Sequence, residues 1–66
     1  MTTFGLRVIA DVIALRDVKA LTPAQCQQIV DFIRSDAAKE TLKEFDESGC
    51  SVEDATELFT FMAGVH

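Results

Sequence analysis

The chain has 66 residues, 48% of them hydrophobic, and six basic against eleven acidic side chains leave it a formal charge of −5. Residues 1–34 carry four basic and three acidic groups and residues 35–66 carry two and eight; that balance excludes ordinary nucleic-acid binding, which uses Lys and Arg to neutralise phosphates, and disfavours anionic membranes. A domain this small hides only about 60% of the surface its unfolded form exposes, so its apolar residues exceed what a lone core covers and self-association is expected.

The first segment, FGLRVIADVIALRDVKAL, is rich in β-branched residues. Its length, its charges and the lack of a second segment to pair with favour a helix over a strand, from Phe4 to Lys19. At helical spacing Leu6, Ile9 and Ile13 form one apolar row and Val8, Val12 and Leu15 a second beside it, while Arg7 and Asp11 share a narrow polar edge. Asp11 interrupts the apolar run from Leu6 to Leu15, and no small-residue cleavage site follows, so the run does not read as a signal peptide. Arg7, Asp11, Arg16 and Asp17 break every window long enough to span a bilayer. A cytoplasmic protein is expected. Cys26 and Cys50, far apart and outside any CxxC pair, are expected to be free thiols.

In ALTPAQC, Thr22 is an N-cap, Pro23 takes the first helical position, where its missing N–H costs nothing, and Gln25 completes a capping box. Leu21 and Cys26 hold the staple positions. Downstream, Cys26, Ile29, Val30, Ile33 and Ala37 make one stripe; Ala38, Leu42 and Phe45 make another, displaced by about a third of a turn. The apolar face therefore changes direction near Ser35 and Asp36. Either one long helix turns its second half toward a different neighbour, or it breaks there with Ser35 or Asp36 capping a new start; a break or bend fits better.

The stretch FDESGCSVEDATELF, Phe45 to Phe59, offers oxygen ligands at spaced positions. With Asp46 as the first ligand, Ser48 falls at the third position, the Val52 carbonyl at the seventh, Asp54 at the ninth, and Glu57 at the twelfth as a bidentate acid. Over these residues the chain resembles the EF-hand family, which implies a metal-binding module. Cys50 stands at the fifth position, where an oxygen is needed, Ser51 where the sharp turn needs Gly, and Glu53 at the normally apolar eighth; no second loop exists in the chain. A plain helix connection accounts for the same residues. Gly49 stops one helix, Ser51 caps the next, Asp54 closes its box, and Glu53 with Asp54 favours the positive end of the dipole. That reading turns Phe45, Leu58 and Phe59 toward the core and expects no metal and no cofactor.

The last helix, from Val52 to Met62, again has two rows: Val52, Ala55, Phe59 and Met62 on one, Leu58, Phe61 and Val65 on the other. Leu58, Phe59, Phe61 and Met62 within five residues exceed what a single facing helix covers. The partner-binding residues are therefore expected to be Leu58, Phe61 and Met62 on this helix, with Val8, Val12 and Leu15 on the first. For catalysis the chain offers little. His66 is its single histidine and final residue, and the dipole that would favour a Cys50 thiolate is opposed by Asp46, Glu47, Glu53 and Asp54.

The acidic run of Asp36, Glu40, Glu44, Asp46 and Glu47, interleaved with Lys39 and Lys43, reads as a solvated face. Its sharper reading is an acidic nucleic-acid mimic that blocks a basic patch on a partner. The expectation is a single all-α domain over residues 1–66, a small three- or four-helix bundle that self-associates as a homodimer. Its expected role is that of a non-enzymatic regulator or inhibitor, binding another protein through an apolar helical surface.

Overall fold

The computed structural model describes residues 2–65, and among them the chain forms four helices and no strand: α1 (Thr3–Asp17), α2 (Pro23–Arg34), α3 (Asp36–Glu47) and α4 (Val52–Met62). Side-chain oxygens start three of them. Thr2 Oγ1 accepts from the Gly5 amide at 3.2 Å. Thr22 and Gln25 form a reciprocal capping box, at 3.1 Å and 3.0 Å. Ser51 Oγ accepts from the Asp54 amide at 3.1 Å. Asp54, one methylene shorter than Gln25, does not return the bond, so only half of the expected box forms at α4.

Three helices end in the same way. The residue after the C-cap is left-handed, and two backbone bonds close the last turn as a Schellman motif. For α3 the left-handed residue is Gly49 (φ 77°), with Gly49 and Cys50 amides donating to the Asp46 and Phe45 carbonyls. For α4 it is Gly64 (φ 84°), with Gly64 and Val65 donating to Phe61 and Thr60. For α1 it is Lys19 (φ 62°), with Lys19 and Ala20 donating to Arg16 and Leu15. Lys19 therefore lies outside α1, which stops at Asp17, two residues short of the expected end.

The middle of the chain breaks at Ser35. Its extended backbone (φ −74°, ψ 158°) ends α2 and starts α3 with no loop between them. The Ser35 hydroxyl caps no α3 amide; it donates to the Phe32 carbonyl in the last turn of α2. Because the break resets the helical register, the first stripe ends at Ile33 and Ala37 is exposed rather than buried. Ala38 and Leu42, with the half-buried Phe45, then approach the same core from another direction.

That core is built from Val8, Val12, Cys26, Ile29, Ile33, Ala38, Leu42, Ala55, Phe59 and Val65. Both α1 and α2 touch every other helix. Between α3 and α4 the Phe45 and Phe59 rings meet edge-on at 5.4 Å, and Phe32 of α2 reaches Phe59 at 6.0 Å, geometries that favour aromatic pairs. Thr56 is buried without penalty because its hydroxyl donates to the Val52 carbonyl at 2.8 Å. Val65, expected on the outward row with Leu58 and Phe61, is buried instead. The left-handed turn at Gly64 folds the chain back, and the residue after such a turn packs onto its own helix.

Val8 and Val12 require a correction. They are fully buried and so do not face a partner. Gly5, Val8 and Val12 share one face of α1 at intervals of three and four residues, and this narrow face lets the helix approach its neighbours closely; Cys26 Sγ lies 4.0 Å from the Val12 carbonyl. The longer Leu6 and Ile13 of the other row are displaced to the surface.

Candidate functional site

On α4 the four-residue spacing places Asp54, Glu57, Leu58 and Phe61 along one outward ridge, with Met62 beside Leu58. Leu58 is 45% exposed, Phe61 68% and Met62 40%, whereas Phe59, between them in sequence, is fully buried. Both the connection reading and the anchor reading claimed Leu58; its exposure settles it outward. Asp54 and Glu57 are exposed too. The ridge is thus an apolar strip edged by carboxylates.

Beside it runs a groove of about 560 Å³ between α1 and α4, whose walls include Asp11, Leu15, Glu53, Glu57 and Phe61. Of the three α1 residues expected at a partner surface, only Leu15 reaches an accessible wall, and it is half-buried. The exposed Leu6 and Ile13 lie on the flank of α1 turned away from Asp11 and Leu15 and so do not extend the α4 ridge.

A second cleft, of about 500 Å³, opens where α2 ends and α3 begins. Ile33 and Leu42 make its floor, and Thr2, Arg34, Lys39 and Lys43 its rim. Half of the six basic residues in an acidic chain therefore gather at one place. Lys39 Nζ also pairs with Asp36 at 3.0 Å, an exposed contact of small energetic value. The sequence reading missed this cleft. It treated Lys39 and Lys43 as solvation of the acidic run, and Arg34 joins them only because the chain turns at Ser35.

The loop with calcium-like spacing is committed elsewhere. Asp46 lies within α3, Ser48 Oγ donates to the Phe45 carbonyl at 3.0 Å, and Ser51 Oγ holds the Asp54 amide. The Val52 carbonyl accepts from Thr56. Among the described residues no group of three or more His, Cys, Asp or Glu side chains is placed to hold a metal ion. Both cysteines are free: Cys26 is buried in the core, and Cys50 is half-buried with its sulfur 3.5 Å from the Ser51 carbonyl. His66 lies outside the described residues. No helix among the described residues is long and apolar enough to cross a membrane. The fold and its surface define the class as a small all-helical bundle with one apolar, carboxylate-edged helix ridge. No family model, curated protein or solved structure matches the chain.

Proposed function

We propose that the protein is a non-enzymatic interaction module of the cytoplasm, a small regulator or inhibitor that assembles as a homodimer and binds another protein through an apolar helical surface. The observation that supports this most is the exposure of Leu58, Phe61 and Met62 together on α4 while the core closes without them. Interfaces draw their energy from a few aromatic and long aliphatic anchors, and a flexible Met adapts to irregular pockets beside them. The nucleic-acid-mimic reading draws less support, because the acidic run is interrupted by the Lys39–Asp36 pair and by Lys43 at a basic cleft. Sedimentation at micromolar concentration tests the proposal. Association beyond the 7.3 kDa monomer is expected, and a monomer at all concentrations would overturn it.

A further inference from the structure

We infer that the basic cleft between α2 and α3 is the receptor for the α4 ridge of a second copy of this chain. This rests on the self-association proposed above and names the two surfaces that meet. The argument is one of complementarity in two properties at once. The cleft lies over the core residues Ile33 and Leu42, themselves almost wholly buried, and its exposed walls are Arg34, Lys39 and Lys43. The ridge has an apolar crest, Leu58 and Phe61, edged by Asp54 and Glu57. Leu58 and Phe61 would pack on the aliphatic stems of Arg34, Lys39 and Lys43 while the carboxylates meet their cationic heads, as an amphipathic helix lies in a groove.

A ridge packed parallel on the same ridge would instead set Asp54 and Glu57 against their own copies, and in either direction it would offer them no cation, because α4 carries no Lys or Arg. Like charges facing one another across an interface disfavour that arrangement. In a two-fold dimer the ridge-to-cleft contact is made twice, each copy giving one ridge and receiving one. Opposite charges at the rim also make the association sensitive to salt.

The test is a mixing experiment followed by sedimentation and circular dichroism. Phe61→Ala disables the ridge and leaves the cleft; Lys39→Glu/Lys43→Glu disables the cleft and leaves the ridge. All of these side chains are exposed, so helicity is expected to persist. If the double charge reversal lowers it, Lys43→Glu alone serves the same comparison. Each variant alone is expected to associate at least about tenfold more weakly than the wild type. Mixed in equal amounts, a Glu57→Lys chain and the charge-reversed cleft variant are expected to form a heterodimer, since one contact is then wild-type and in the other both charges are exchanged. Wild-type association by the cleft variant would overturn this inference while leaving self-association standing, and so would a charge-reversed cleft whose binding Glu57→Lys fails to restore. A wild type that is monomeric throughout would remove the parent proposal as well and leave the cleft to a different occupant.

Discussion

Phe59 and Phe61 are two positions apart on α4 and meet opposite surroundings: one is fully buried between Phe32 and Phe45, the other is mostly exposed. Their truncations should therefore fail in different ways. Phe59→Ala leaves a cavity at the meeting point of three helices and is expected to cost about 3 to 5 kcal/mol. A domain of this size has roughly 3 to 10 kcal/mol in total, so a strongly lowered melting temperature or outright unfolding should be seen by circular dichroism. Phe61→Ala should keep the helical signal and instead weaken association by about 2 kcal/mol, roughly thirtyfold, read by sedimentation. Were Phe61→Ala to unfold the chain, the two faces of α4 would be assigned backwards. The sequence separated these two phenylalanines by row, Phe59 with Val52, Ala55 and Met62 and Phe61 with Leu58 and Val65, although Met62 is exposed and Val65 buried against that division. It did not separate the rows of α1, where Leu6, Ile9 and Ile13 are as apolar as Val8, Val12 and Leu15. What decides there is side-chain size and the buried Gly5, which only packing reveals.

At the scale of the element, boundaries follow from caps. Thr22→Ala removes the bond that the Thr22 hydroxyl accepts from the Gln25 amide and should destabilise by about 1 kcal/mol, whereas Ser35→Ala should cost less, since the Ser35 hydroxyl caps no α3 amide and only shares the Phe32 carbonyl with its own backbone amide. Thermal melts of the two variants compare them directly, and equal losses would show that the α2–α3 junction depends on the serine hydroxyl after all. At the end of α1, Lys19 occupies a left-handed position that Gly fills at the ends of α3 and α4. Lys19→Gly should relieve that strain and stabilise by about 1 kcal/mol, raising the melting temperature by roughly 4 to 8 °C. A lowered melting temperature would contradict the assignment. These contrasts mirror what was legible beforehand. Thr22, Pro23 and Gln25 announce a helix start, and the displaced stripe announces the break at Ser35. A lysine carries no signal for a left-handed turn, so the end of α1 and the return of Val65 to the core could not be read.

Taken whole, the chain has a radius of gyration of 10.7 Å, close to the roughly 11 Å of a compact domain of its length, so its helices already enclose a core within one copy. What it leaves outside includes the apolar ridge of α4, the Leu6 and Ile13 flank of α1 and the basic cleft. The calcium-like spacing from Asp46 to Glu57 has a consequence for the whole molecule as well. A ligand present at a hundred times its Kd stabilises the fold by about 2.7 kcal/mol, so added calcium should leave both the melting curve and a calorimetric titration unchanged. Micromolar uptake at one site per chain would contradict the assignment of that stretch as a helix connection. The two clefts and their opposite charge were not legible at this scale, because they join residues that the turn at Ser35 and the packing of α1 on α4 bring together from distant parts of the sequence.

The central claim, that the α4 ridge is a surface made to be covered, is tested most directly by sedimentation equilibrium of the wild-type protein across the micromolar range at low and high salt. The account predicts a mass above 7.3 kDa that falls on dilution and with added salt, as a contact with charged edges requires. A single 7.3 kDa species at every concentration and both salt conditions would contradict it.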